Sequence, residues 1–309
     1  MNFENSNSFR ISIFGFRIFK LRTLLGPGYA GLGIGSIPSL LPSDRGGGTI
    51  QGECESMNSS DSEVIRTEKV TKRFGDFVAV DRIDFAIHRN ETIGIIGPNG
   101  AGKTTFLNLL TGFYTPDEGT VFYQGREITG DSPEKRVAAG IVRTFQLVRV
   151  FDNLTVYENM ALAYYRKKRG SSLPAHMFVS TLDHRDIRQQ VDENLDMFEL
   201  SHLSGEMVGN LSLGSKRRLE IAMAFIANPT VLALDEPFSG LGDLEIDEVI
   251  RVFRKYSHQK TILIVEHKIS KLIDTVDRLA VMHEGKIIAS GPPKETLEDP
   301  EVRRVYWKV

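Results

Sequence analysis

Cysteine is almost missing from this chain: Cys54 is the single one among 309 residues. One thiol cannot close an intramolecular disulfide or build a thiolate zinc cluster. That argues against a disulfide-stapled secreted module and a Cys-rich metal site, and for a reducing, cytoplasmic setting. Charge of one sign is also missing. Thirty-eight Lys and Arg stand against forty Asp and Glu, a formal net charge of -2, so no domain-wide basic field exists to collect nucleic acid or to hold anionic lipid. Nucleic acid is therefore not an expected partner. Nor is there a long run of membrane-spanning quality. The longest uncharged stretch, 23–43, carries five glycines and three prolines, and the apolar stretch before it is cut by Arg10, Arg17, Lys20 and Arg22. These features speak against a transmembrane helix and a signal peptide, so any membrane is met through a partner. No internal repeat is visible.

What is present is an ordinary globular composition, 41% apolar and 25% charged, after a first stretch of different character. Residues 1–62 run from a Phe/Ile/Arg segment into Gly, Ser and Pro-rich sequence ending in Asn58-Ser59-Ser60-Asp61-Ser62. Such a stretch lacks the material for a packed core and reads as a low-complexity, disordered extension. Met57 lies just before the sequence becomes regular, so the part ahead of it is expected to be dispensable for the fold or an upstream reading of the gene. A short membrane-surface or partner-binding arm with Phe14, Phe16 and Phe19 as contacts is the competing reading.

From Val64 onward, short apolar runs alternate with helical periodicity. Thr92 to Ile96, Val231 to Leu234 and Thr261 to Val265 are nearly continuous β-branched and aliphatic runs, as expected of parallel strands covered on both faces. Val78 to Ile87 alternates more loosely and suggests an antiparallel β layer at one side. Ile187, Val191, Leu195 and Phe198 fall at helical spacing between charged residues, which marks a helical insertion. Pro292 to Trp307 reads as one more helix with proline near its start.

The most informative residues are Gly97, Pro98, Asn99, Gly100, Ala101, Gly102, Lys103, Thr104 and Thr105, which follow the first buried run and open the apolar helix Phe106 to Leu110. This is the G-x-x-x-x-G-K-[ST] pattern in a strand-loop-helix setting. Glycines let backbone N–H groups turn inward around a polyphosphate, and the helix N-terminus adds its positive dipole end. Lys103 would reach the β- and γ-phosphates of a nucleotide such as ATP, and the Thr104 hydroxyl would bind Mg²⁺. A second apolar strand ends in Asp235-Glu236-Pro237. There Asp235 would hold Mg²⁺ and Glu236 would orient and deprotonate the attacking water.

Twenty-three residues ahead of that aspartate begins Ser212-Leu213-Gly214-Ser215-Lys216-Arg217-Arg218-Leu219-Glu220. With this segment the sequence resembles the ABC transporter ATPases over about residues 64–309. The other motifs follow in that family's order: Arg73-Phe74-Gly75, Arg143-Thr144-Phe145-Gln146 and Val265-Glu266-His267. The resemblance implies an α/β fold, a P-loop NTPase (RecA-like) core with an antiparallel β subdomain and an inserted α-helical subdomain at about 147–211, within one nucleotide-binding domain at 63–309. It implies that Phe74 stacks on adenine, that Gln146 senses the γ-phosphate and binds Mg²⁺, and that His267 contacts the γ-phosphate. Ser212 and the Gly214 backbone would cap the γ-phosphate held by a second ATPase subunit, so that two nucleotides are sandwiched in a dimer.

The stretches Gly140 to Gln146, Leu154 to Asn159, Leu110 to Tyr114 and Arg217 to Ala222 look like the ATP-binding subunits of branched-chain amino acid importers. Urea/amide importers and lipopolysaccharide-export ATPases carry similar sequences and stay open, as does a non-transport ABC ATPase. An importer reading implies transmembrane permease subunits as direct partners, a solute-binding protein as an indirect one, and a cytoplasmic, peripheral place on the inner face of the cell membrane. There are departures from the family pattern: Leu213, Ser215, Met223, Lys268, and Gly242 where the loop after the carboxylate usually places Asp or Asn. They leave the phosphate and Mg²⁺ residues untouched and bear on the rate and symmetry of hydrolysis.

Overall fold

The computed structural model describes residues 63–169, 184–256, 260–267 and 269–307. The expectations for 1–62 and the position of Lys268 lie outside the described residues. Two sheets form the frame. Strands β1 (Glu63–Phe74), β2 (Phe77–His88), β4 (Glu118–Tyr123) and β5 (Arg126–Glu127) make an antiparallel sheet in the order β2-β1-β4-β5. The second sheet has the order β10-β9-β3-β8-β7-β6. It contains β3 (Thr92–Ile96), β6 (Ile141–Arg143), β7 (Val231–Asp235), β8 (Thr261–Val265), β9 (Arg278–His283) and β10 (Lys286–Gly291). Strands β9, β3, β8, β7 and β6 run parallel, and β10 closes the edge antiparallel to β9.

Every residue of β3, β7 and β8 is buried, which is why these three runs carry no polar alternation. One face packs with the antiparallel sheet around α1 (Lys103–Thr111), where Phe106 meets Phe85 edge to face at 5.7 Å. On the other face lies a second core that reaches α5 (Leu213–Ile226), α6 (Asp243–Tyr256), α3 (Val156–Arg169) and α4 (His184–Met197). Ile187, Val191, Leu195 and Phe198 are all buried there, with Phe198 against Phe225 of α5 at 5.5 Å. Their spacing thus marks the face that α4 turns to its neighbours. The short helices α2 (Pro133–Ala139) and α7 (Ile269–Leu272) complete the crossings.

Arg136 on α2 is 1% exposed, and its guanidinium donates to the carbonyls of Leu109, Leu110, Ile128, Thr129 and Asp131 at 2.6–3.2 Å. It thereby satisfies the last carbonyls of α1, which a helix end leaves without partners. Burial pulls its pKa down to about 10.

The expected helix at 292–307 is instead two helices, α8 (Pro293–Glu298) and α9 (Pro300–Trp307). Pro300 is the cause: its ring excludes the helical conformation from the residue before it, and Asp299 turns extended at φ -54°, ψ 130°. The Asp299 carboxylate then accepts the Glu301 amide at 2.8 Å, opening the second helix. Among the described residues no helix is long and apolar enough to cross a membrane.

Candidate functional site

Because β3, β8, β7 and β6 are neighbours and parallel, the segments after them emerge along one carboxyl edge. That edge is where open α/β sheets bind ligands. The sequence scatters these segments over 170 residues, and the sheet sets them side by side.

After β3 comes the phosphate loop. Gly102 has φ +98°, and a Cβ on it would lie 2.2 Å from the Ala79 carbonyl oxygen; at Gly97 a Cβ would lie 2.3 Å from that of Met282. Only glycine fits these two positions, which fix the loop against β2 and β9. The Lys103 ammonium donates to the carbonyls of Gly97 and Pro98 at 2.6 and 3.0 Å, so the lysine lies along the inside of its own loop. Burial lowers its pKa, opposed by the nearby carboxylates of Glu236, Asp235 and Glu266. Pro98 is half-buried, while Asn99, Gly100 and Thr104 are exposed and Ala101 is buried. Thr104 and Thr105 occupy the first turn of α1, with the Thr104 hydroxyl open to a ligand.

At the end of β7, Asp235 is buried and accepts the Arg143 guanidinium at 2.7 Å, the two side chains being 5% and 6% exposed. Glu236 follows in the left-handed region at φ +46°, a strained backbone of the kind that concentrates at functional sites. Its amide donates to the Val265 carbonyl at 2.8 Å. Gln146, just past β6, donates its side-chain amide to Glu236 Oε2 at 2.9 Å. The His267 Nδ1, just past β8, stands 4.0 Å from the same oxygen. Gln146 is thus hydrogen-bonded to Glu236, while the His267 ring lies near that carboxylate and closer still to Glu266 Oε2, at 3.7 Å, with Lys103 beside all three carboxylates of this edge.

Phe74 closes β1 and is 45% exposed, with the edge of Tyr114 against it at 5.5 Å and the Lys72 ammonium 5.8 Å from the ring centre. That exposure leaves part of the ring open to solvent. Ser212 caps α5, its hydroxyl accepting the Ser215 amide at 3.1 Å. The Gly214 amide donates to Glu245 at 3.1 Å. The hydrogen bonds of Ser212 and Gly214 thus run to their own helix and to α6, and the fold does not join them to the phosphate loop of the same chain.

Hard oxygen donors suit Mg²⁺, which binds through one or two protein oxygens together with phosphates. Thr104, Asp235 and the Gln146 side-chain carbonyl are such a set, and among the described residues no cluster of three or more His, Cys, Asp or Glu could hold a metal unaided. That donor chemistry fits an ion brought in with a nucleotide.

Sequence reasoning missed several supporting groups. In the sequence Arg143 is only part of a motif; in the fold it also touches Asn108 and Thr111, and sits 5.4 Å from the rings of Phe113 and Phe145. Glu266, fully buried, accepts the amides of Phe238 and His267 at 2.8 and 3.0 Å and so fixes the turns after β7 and β8. A charged residue directly after an apolar strand was the available signal. Glu245, which accepts the amides of both Gly214 and Gly242 at 3.1 Å, left none.

Residues 80–239 match the ABC transporter family. The high-affinity branched-chain amino acid transport ATP-binding protein BraF of Pseudomonas aeruginosa is 34% identical over 248 residues, covering 79% of this chain and 97% of its own length. The similarly described LivG of Escherichia coli K12 is 36% identical over 244 residues, covering 76% and 93%. Among solved structures, the ADP conformation of MJ1267, an ATP-binding cassette of an ABC transporter, aligns with a TM-score of 0.69 at 32% identity, covering 80% of this chain and 99% of that one. A phosphate loop, an acidic strand end, a glutamine and a histidine meet on one sheet edge, and the likeness spans most of the chain: it belongs to the ABC transporter family and is one of its ATPases.

Proposed function

We propose that this ATPase binds Mg-ATP along the carboxyl edge of its parallel sheet and drives import of branched-chain amino acids through permease subunits. The observation that supports the catalytic reading is the hydrogen bond from Gln146 to Glu236 Oε2 at 2.9 Å, with His267 Nδ1 4.0 Å from the same oxygen. In this reading the amides of residues 97–105 and the Lys103 ammonium bind the polyphosphate, and Phe74 stacks on adenine. Thr104, Asp235 and Gln146 would hold Mg²⁺, which would supply positive charge against the polyphosphate. Glu236 takes the proton of the attacking water, Gln146 orients that carboxylate, and His267 donates to the γ-phosphate. Ser212 and Gly214 face the nucleotide of a second ATPase subunit.

The transport reading rests on BraF and LivG being named for branched-chain amino acid transport. With it come transmembrane permease subunits, a solute-binding protein acting through them, and a place on the cytoplasmic face of the membrane. Two measurements test the proposal. Glu236→Gln should keep Mg-ATP binding and lose hydrolysis, while Lys103→Ala should lose binding itself; hydrolysis at the wild-type rate in Glu236→Gln overturns the catalytic assignment. In vesicles holding the neighbouring permease subunits, leucine with its binding protein should stimulate ATPase activity; stimulation by urea, or by lipopolysaccharide alone, would move the chain to another transporter class.

A further inference from the structure

Arg217-Arg218-Leu219-Glu220 marks the sequence without a role in the chemistry above, yet it contains a buried ion pair. On α5, Arg217 Nη1 meets Glu220 Oε2 at 2.8 Å, and each side chain is 1% exposed. An isolated buried pair is poor evidence of stability, since apolar residues of similar volume often serve as well. This pair does more than neutralise itself. Arg217 also donates to the carbonyls of Phe145 and Gln146 at 2.8 and 2.6 Å. Glu220 accepts the Arg149 amide at 3.2 Å through its other oxygen. Three points of the 145–149 backbone, seventy residues away in sequence, are thus held by one turn of α5.

We propose that Arg217 and Glu220 are positioning residues for Gln146, clamping its backbone so that its side-chain amide reaches Glu236; this rests on the role given to Gln146 above. The geometry favours a fork. A guanidinium spans two carbonyls and a carboxylate at fixed angles, whereas a lysine ammonium on a flexible stem cannot hold all three. The clamp has a second consequence. Ser212 and Gly214 form the first turn of the same helix, so a shift of that turn toward a partner's nucleotide moves the anchor of this chain's own glutamine. The Ser212–Gly214 turn and the Glu236 carboxylate are joined through three contacts: Arg217 to the Gln146 backbone, Gln146 to Glu236, and Glu220 holding Arg217 in place.

The test is a double-mutant cycle on the full chain, reading kcat and the Kd for Mg-ATP separately. Arg217→Lys should lower kcat about tenfold and Glu220→Gln about threefold, with Kd within about twofold of wild type. On a Gln146→Ala background neither should lower kcat further, because the residue they act through is gone. A general packing role would instead lower kcat by the same factor in both backgrounds, or raise Kd in step, and either result overturns the proposal. So does an unchanged kcat in both single variants. If Arg217→Lys does not fold, Glu220→Gln carries the same comparison. A wild-type rate in Gln146→Ala overturns the role of Gln146 and the clamp together, whereas an impaired Gln146→Ala with additive partners overturns the clamp alone.

Discussion

The two halves of the candidate site are built differently. The phosphate half is local: Lys103 bonds to Gly97 and Pro98, six and five residues away, and its shape depends on backbone angles that glycine alone adopts cheaply. The acidic half is assembled over distance. Arg143 meets Asp235 across 92 positions, Gln146 meets Glu236 across 90, and Arg217 reaches Gln146 across 71. A local half can be damaged by one Cβ, whereas a distributed half fails by leaving a buried charge without its partner.

The first break expected in that contrast is Gly102→Ala, read as nucleotide affinity. The left-handed backbone costs on the order of 1–3 kcal/mol for a non-glycine residue, and the Cβ clash with Ala79 adds to it, so Mg-ATP affinity should fall about 100-fold, roughly 3 kcal/mol. Titration with a fluorescent ATP analogue reads this directly; near-normal affinity would show that the loop tolerates rearrangement and is less locally determined than its geometry says.

Next is Arg143→Met, which strands the buried Asp235 carboxylate. Removing one partner of a buried pair costs about 3–5 kcal/mol, readable as a shift in the urea midpoint. Adding Asp235→Asn should recover most of that loss while leaving hydrolysis impaired. If the double variant is no more stable than the single one, Arg143 stabilises by packing against Phe113 and Phe145 rather than by charge.

A smaller effect separates the two halves by pH. Burial pushes Glu220 from its ordinary 4.5 up to about 7, against the pull of Arg217 and the Arg149 amide. Ionising it therefore costs the folded state. Its favourable contribution is complete below pH 4.5 and is lost as pH rises through about 7. The Tm of wild type relative to Glu220→Gln should accordingly fall by several degrees from pH 5 to pH 8 and level off above, and a flat difference would place the carboxyl's pKa well below neutrality.

The smallest effect concerns the loop after Glu236. A Cβ at Gly242 would find only Glu245 Oε2, at 3.9 Å, so a side chain can be added here without a backbone clash. The family places Asp or Asn at this point of the loop and Gly242 supplies no side chain and extra backbone freedom, so the chain alone should dimerise weakly and hydrolyse slowly. Gly242→Asp or a sister ATPase subunit should then raise ATPase activity by about two- to fivefold, an effect of less than roughly 1 kcal/mol on the barrier. Full cooperative activity in the unmodified chain alone would make Gly242 a tolerated loop variant.

What the residues determined unaided was whatever depends on neighbours in the chain: the buried strands as unbroken apolar runs, the glycine-built phosphate loop, the apolar stripe of α4, and the acidic end of β7. Local conformation and periodicity write such features into adjacent letters. The break at Pro300 was equally present there, since a proline restricts the residue before it, and a single helix across it was a misreading of a local rule. Tertiary structure alone decided that Arg143 neutralises Asp235, that Arg217 and Glu220 hold the Gln146 backbone, and that Glu245 takes the amides of Gly214 and Gly242. Each of these is a charged side chain whose partner is chosen by strand order and helix packing, and strand order follows from burying both faces of the parallel sheet, which no short stretch of sequence contains.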